Sequence, residues 1–600
     1  MSTRRRTTAV VFSIAALALA VRLAFATAFA RTPIGASIFL DSKTYDDLAV
    51  ALRQGTGAAL EPFFVEPLYG YFLAVVYGIF GRGLWPVRVL QALGGALSCA
   101  LIFDLARRLY GRRAGIVAGL AAALYGPFVF YDAMLLKTSG EVLCATLLLW
   151  LLLRATEEDG GELTWAAVGL QLGLAATLKA NFLVLAPVAL AAPWLAAGVG
   201  RRRRIARAAW VAGGIALALA PVLVRNSALA GEPTFLTSGA GMNFYQGNRE
   251  GTDGGLAIPP FIGLDPSREQ EDSLAEARRR TGEPELTAAE ASRFWLRRSL
   301  DWIRSHPVDW LRLMGRKVLL FWNRYEAADD LSFHYTRHAV PLLWLAPIGF
   351  WLVAPLGLAG TLAGAGGGRR EWLLRASVLL LAAGTVLFHV ADRYRLAAVP
   401  ALIVLAVGFV RRTVLAWTGG RRRAACGLAA LAVAALLFVN VPDLYPGGQD
   451  MAPFDRIMAL GYREGGRPER AAPYATRAAE AYTREAAAAT ARGDSYRAEI
   501  YLVNALDVRP DDPDSWRLLS RLRFDAGRWA AAGDAAERGL ATAPDDPALL
   551  VLLGDVRALE HRFEEALALF ERALAADPGA DAIERRVTAA RAALESRRRP

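Results

Sequence analysis

The stretch RRRTTAVVFSIAALALAVRLAFATA, residues 4–28, decides the architecture. Three arginines precede an apolar run from residue 8 to residue 28. About 20 apolar residues cross a bilayer core as a helix. The run exceeds the core of a secretory signal, roughly 7–15 residues, and reads as an uncleaved first span. Ten further apolar segments follow, at 84–106, 114–131, 138–154, 163–178, 182–199, 208–225, 340–363, 373–390, 396–411 and 424–441. The expected fold is all-α and polytopic, with eleven transmembrane helices.

Charge sets the sidedness. Arg4, Arg5 and Arg6, then Arg107, Arg108, Arg112 and Arg113, residues 201–204, Arg369 and Arg370, and Arg411, Arg412 and residues 421–423 all fall on one side under this count. Basic residues mark the cytoplasmic side. The N-terminus is therefore expected inside. Outside lie a first loop, 29–83, a turn at Asp132, a large loop, 226–339, a turn near Arg393 and the tail after 442. The segments 163–178 and 182–199 are parted only by Lys179, Ala180 and Asn181, but merging them would put two arginine clusters on opposite sides. The short apolar segment 67–80 is expected as an amphipathic helix at the outer interface.

Composition divides the 600 residues in two, with mean hydropathy +0.28 and 54% hydrophobic residues overall. Long apolar runs stop at 441, and 450–600 is Ala-rich and charged. The net charge of +12 comes from arginines beside the spans, and no basic stripe interleaved with aromatics points to nucleic acid. Cys99, Cys144 and Cys426 lie in apolar segments and read as packing residues. No Walker loop, zinc-type His/Cys cluster or G-x-S-x-G elbow is present, so nucleotide-driven and serine-hydrolase chemistry have no support.

The tail repeats every 34 residues: Pro510, Pro544 and Pro578; Leu506, Leu540 and Leu574; Ala498, Ala532 and Ala566. Gly493 and Gly527 keep the register, with His561 in the third place. Ala566, Phe570 and Pro578 fit the A-x3-F…P part of the tetratricopeptide pattern. We expect a membrane domain, 1–445, and an extracytoplasmic α-solenoid, 446–600, clearest over 477–600, that caps the chain or binds a protein partner.

Chemistry-bearing residues gather on the outer side. The first loop holds Asp41, Tyr45, Asp46 and Asp47, then Glu66-Pro67-Leu68-Tyr69. A carboxylate just past a span can deprotonate an acceptor hydroxyl or amine; the alternative is a solvated or capping group. Asp132 and Lys137 flank the third and fourth spans, and a lysine beside Leu135 and Leu136 suits a lipid phosphate. Arg225-Asn226 closes the seventh span. The large loop opens with small residues and then Asn243, Tyr245 and Gln246, which suit sugar hydroxyls. Later it carries Phe321-Trp322-Asn323-Arg324-Tyr325-Glu326. Arg393 and Arg395 sit outside against the charge bias, where they can grip a phosphate in bidentate fashion or pair with Asp392.

In this order these residues resemble the GT-C glycosyltransferases, in particular the family 39 group similar to protein mannosyltransferases and aminoarabinose transferases. The likeness covers residues 8–441 and includes Asp41 with Tyr45, the Glu66 stretch, the Ala106-Arg107-Arg108-Leu109-Tyr110-Gly111 turn, Tyr131-Asp132, Leu136-Lys137, Arg225-Asn226, Asn243-Phe244-Tyr245 and Arg393-Tyr394-Arg395-Leu396. It implies an inner-membrane enzyme that moves a sugar from a polyprenyl-phosphate donor to an outer-face acceptor, with inversion. By motif match Asp41 would be the base, and Lys137, Arg393 and Arg395 would hold the donor phosphate. Glu66 and Asp132 would orient an acceptor or a divalent metal. Ser42 stands where the family often has a second carboxylate, so Asp46 or Asp47 would have to replace it. Rival classes are a lipid or glycan transporter and a non-catalytic envelope scaffold.

Overall fold

The computed structural model describes all residues except 1–2, 158–160, 197, 260, 264–267, 443, 445–450 and 599–600, and leaves the side chains of 3–5 and 597–598 undescribed. The expected boundary at 445/446 lies outside the described residues. The chain forms two compact units, Met1–Gln449 and Asp450–Pro600. Among the described residues the elements are helical, and the one isolated β-bridge joins Tyr125 to Ile348.

Six helices of the first unit are long and apolar enough to cross a membrane: Arg6–Phe29, Leu84–Tyr110, Thr138–Ala155, Arg201–Ala230, Asp392–Thr418 and Arg422–Val439. The other five expected spans are shorter or interrupted, a difference with local causes. Helix Arg112–Ala123 ends before Tyr125, whose extended backbone lets Gly126 donate to the Ile348 carbonyl at 2.7 Å, and a new helix starts at Gly126-Pro127. Pro187 and Pro193 divide 180–195 into a short α-helix between two 3-10 turns. Lys179 is extended and separates that segment from helix Glu162–Leu178. Before Phe350–Ala363 there is only a 3-10 turn, Pro341–Leu345. Helix Glu371–Val386 stops short of the turn that carries Arg393.

Small residues let these helices approach backbone to backbone. A Cβ on Gly169 would stand 2.0 Å from the Val211 carbonyl oxygen, and one on Gly214 would stand 2.5 Å from that of Ala166. Helices Glu162–Leu178 and Arg201–Ala230 therefore pack closely. At one end of the bundle the arginine-bearing turns meet. Arg112 donates to the Arg6 carbonyl at 3.4 Å, Tyr110 to Glu371 at 3.3 Å, and Arg412 to the Ala363 and Gly364 carbonyls at 2.6 and 2.7 Å. The segment expected at the interface is helix Leu68–Phe80, which buries Tyr69, Leu73, Val76 and Tyr77.

The second unit is a series of helices from Ala452–Glu464 to Asp581–Arg598. Asp512 and Asp546, 34 residues apart, cap alternate helices that each begin with proline. Gly493 and Gly527 take positive φ of 75° and 71° in the tight turns, and His561 adopts 61° in the third. The repeated Ala498, Ala532 and Ala566 are fully buried.

Candidate functional site

A cavity of about 190 Å3 gathers Asp41, Glu66, Lys137, Asn243 and Arg393 from five separate stretches of sequence. Asp41 arrives by a strained turn. Leu40 precedes it with φ 51°, a conformation that costs a non-glycine residue on the order of 1–3 kcal/mol, and Asp41 opens helix Asp41–Gln54. Arg393 arrives on the turn after Ala391, fixed by the Asp392 N–H donating to the Ala327 carbonyl at 2.9 Å.

The Arg393 guanidinium does not pair with its neighbour Asp392, which accepts only the Arg393 backbone N–H at 2.6 Å from that residue. Its Nη2 donates to Asp41 at 2.5 Å and its Nε to Asp329, leaving Nη1 unengaged among the described residues. Asp392 instead accepts from the Tyr131 hydroxyl at 2.7 Å. Across the cavity Lys137 donates to Glu66 at 2.6 Å, and Glu66 also accepts the Ala180 N–H at 3.0 Å. Burial works against both charges, yet each outweighs it for the other: Glu66 lies below its ordinary pKa and Lys137 above.

Three carboxylates in the cavity were not legible as site residues. Asp329 is buried, but the Arg393 guanidinium holds it below the usual range. Its neighbour Asp330 is pushed well above that range by burial and by Asp41. Neither Asp330 oxygen has a hydrogen bond of ordinary geometry among the described residues, the Asp41 backbone giving weak help. Glu269 is pushed up to about 7 by burial and by Asp41, and accepts from Gln246 Nε2 at 2.6 Å. His389 and Tyr394 complete that wall. The adjacency of Asp329 and Asp330 is visible in the sequence but does not by itself mark them as site residues. Glu269 had no signal, since it stands in a strongly polar stretch.

Three expected residues do not line the cavity. Arg395 is buried against Glu326 at 2.6 Å and donates to the carbonyls of Phe321, Asn323 and Tyr325, so it holds the loop carrying Asp329. Asp132 pairs with Arg22 at 2.6 Å. Its carbonyl accepts from Gln91, which in turn accepts from Tyr69 at 2.7 Å. Tyr69 packs edge-on against Tyr45, so Asp132 backs the site from behind. Tyr245 packs at a tilt against Trp295 in an apolar cluster, centroids 4.8 Å apart.

Asp46 bonds Tyr77 at 2.7 Å and Arg82, while Asp47 is paired with Lys43 at the surface; neither lines the cavity with Asp41. No group of three or more His, Cys, Asp or Glu among the described residues is placed to hold a metal ion. Arg393 already occupies Asp41 and Asp329, so this donor set does not fit a metal centre.

Asn226 ties the loops together. It accepts the Phe63 N–H at 3.3 Å and donates to the Phe235 and Leu236 carbonyls at 3.0 Å each. The Ser238 N–H donates to the Phe63 carbonyl at 2.9 Å. Arg225 stacks on the Phe63 ring, 3.7 Å from its centroid. The Arg225-Asn226 pair thus joins the first loop to the large loop.

Residues 61–225 match the family described as dolichyl-phosphate-mannose-protein mannosyltransferase. Over 141 residues the chain is 31% identical to undecaprenyl phosphate-alpha-4-amino-4-deoxy-L-arabinose arabinosyl transferase 2 of Pseudomonas fluorescens, covering 22% of this chain and 25% of that protein. A second arabinosyl transferase of that species, transferase 1, is 31% identical over 139 residues, again 22% and 25% of the two chains. The chain thus spans about a quarter of the length of the relatives it matches. Among solved structures, ArnT from Cupriavidus metallidurans bound to undecaprenyl phosphate is similar at TM-score 0.41 and 16% identity, over 88% of this chain and 79% of that one. The oligosaccharyltransferase of Archaeoglobus fulgidus is similar at 0.39 and 15%, over 76% and 58%. The likeness to a known glycosyltransferase family is thus carried by residues 61–225.

Proposed function

We propose that this multi-pass membrane protein transfers a sugar from a polyprenyl-phosphate donor to an acceptor hydroxyl or amine on the extracytoplasmic face. The observation that carries this reading is the meeting of Asp41, Lys137 and Arg393 in one cavity, within the reach of a single bound substrate. Asp41 accepts the acceptor proton as the acceptor atom bonds the anomeric carbon. The bond from that carbon to the phosphate oxygen breaks, and the polyprenyl phosphate leaves with the electron pair. Arg393, through its open Nη1 edge, and Lys137 face the charge that grows on the leaving phosphate. Asn243 and Asp330 supply hydrogen bonds to sugar hydroxyls. In this reading the N-terminus is cytoplasmic, and the tail after 446 is an extracytoplasmic solenoid that engages a protein partner.

The test is transfer of labelled sugar from polyprenyl-phosphate donors by the purified chain in lipid, wild type against Asp41→Asn. Transfer by the wild type and its loss in the variant are expected. Equal transfer by both removes Asp41 from its role. No transfer by either, across donors bearing neutral and amino sugars, favours a transporter or a scaffold.

A further inference from the structure

A second, larger concavity lies in the first unit, far from the cavity around Asp41. It has a volume of about 970 Å3 and runs between helices Arg112–Ala123, Phe350–Ala363 and Val399–Thr418. Its walls are apolar, among them Val117, Leu120, Leu352, Ile403 and Val410. From Arg112 to Leu124 the wall rises about 18 Å, 12 steps at 1.5 Å per residue. That is close to one leaflet of a hydrocarbon core about 30 Å thick.

One end of this groove is different. Arg112, Arg113 and Arg411 line it there and are exposed. Neighbouring arginines are satisfied: Arg107 and Arg108 by Asp104 and Glu157, Arg375 and Arg412 by backbone carbonyls. Among the described residues, Arg112 has only the long bond to the Arg6 carbonyl, and Arg113 and Arg411 have no carboxylate within 4.0 Å. Arg112 and Arg113 also form the first turn of a 12-residue helix whose N-cap, Gly111, offers no side-chain bond. The positive end of a helix dipole disfavours cations and favours an anion. Two arginines at an uncapped N-terminus, with a third facing them, form a positive site that lacks its counter-ion.

We propose that this groove binds an anionic glycerophospholipid, with its phosphate among Arg112, Arg113 and Arg411 and an acyl chain along Val117 and Leu352. The site is separate from the catalytic reading. Arg393 and Arg411 are 18 positions apart along one continuous helical run, about 27 Å. A phosphate held at Arg411 therefore cannot reach Arg393, and a donor lipid bound here would be unproductive.

The full chain is placed in nanodiscs of phosphatidylcholine doped with phosphatidylglycerol, and retained lipids are counted by native mass spectrometry. The wild type is expected to enrich phosphatidylglycerol over phosphatidylcholine. The Arg113→Gln/Arg411→Gln double variant is expected to lose about fivefold in enrichment per arginine. Val117→Trp, which fills the groove without altering charge, is expected to lower retention of the same lipid. Circular dichroism and thermal melting in phosphatidylcholine establish that each variant is folded. Equal retention of the two lipids by the wild type overturns the proposal, as does unchanged enrichment in both folded variants. Displacement of the phosphatidylglycerol by stoichiometric undecaprenyl phosphate overturns it in favour of a donor-lipid site.

Discussion

Arg393 donates from Nη2 to Asp41 at 2.5 Å across 352 positions of sequence. The contact joins the first loop to the turn before the tenth expected span, and it places a cation and a carboxylate on one cavity. It also separates two arginines that look interchangeable in sequence.

Replacing Arg393 and Arg395 is expected to produce different phenotypes. Arg395→Gln leaves Glu326 buried without its charge partner, a loss on the order of 3–5 kcal/mol. Lower melting temperature and poor yield should follow. Arg393→Gln also removes the charge partner of buried Asp329, but the amide can still donate to it, so a smaller loss of stability is expected together with loss of transfer. Thermal unfolding and transfer assays on the same preparations read the two effects.

Asp41→Asn is expected to reduce transfer by roughly 100- to 10,000-fold, the usual contribution of a positioned general base. The Asn amide oxygen still accepts from Arg393, so the melting temperature should change little. A rise in KM for donor with kcat unchanged would place Asp41 in binding alone.

Glu269 supplies a pH signature. Its folded pKa of about 7 is above the unfolded value. The native state therefore holds a proton that the unfolded chain releases. The resulting stability is fully present below about pH 4 and is lost as pH rises to about 7, a change on the order of 3 kcal/mol. Chemical unfolding at pH 5 and pH 8 measures it. Glu269→Gln should flatten this part of the profile.

Lys317 gives the reverse sign. Burial pushes its ammonium down to about 7, and its Nζ donates to Asn248 at 3.2 Å and to the Phe388 carbonyl. Between about pH 7 and pH 10 the unfolded chain holds the extra proton, so stability rises with pH through that window. Lys317→Met should remove the rise, and the same unfolding series at pH 7 and pH 9 detects it.

Much of this was legible in the sequence because the membrane leaves few choices. Apolar runs and arginine clusters locate the long helices, and the order of Asp41, Lys137 and Arg393 anticipates their meeting. The breaks were less legible. Pro127, Pro187 and Pro193 stand inside runs that hydropathy reads as continuous, and only their neighbours decide where each helix stops. The site was half visible. Asp132 and Arg395 have the residue types of a catalytic centre, yet each finds a buried partner nearer than the cavity, Arg22 and Glu326. Asp330 and Glu269 gain their character from burial, which no spacing reveals.

The Asn226 bonds carry one more consequence. Phe63 on the first loop and Leu236 on the large loop share a single buried amide, so the two loops travel as one block. Traffic through the cavity then has two routes: a hinged lift of that whole roof, or a sideways path between helices from the lipid phase. On the proposed function, the donor's prenyl tail takes the lateral route, and a water-borne acceptor enters where the two loops open.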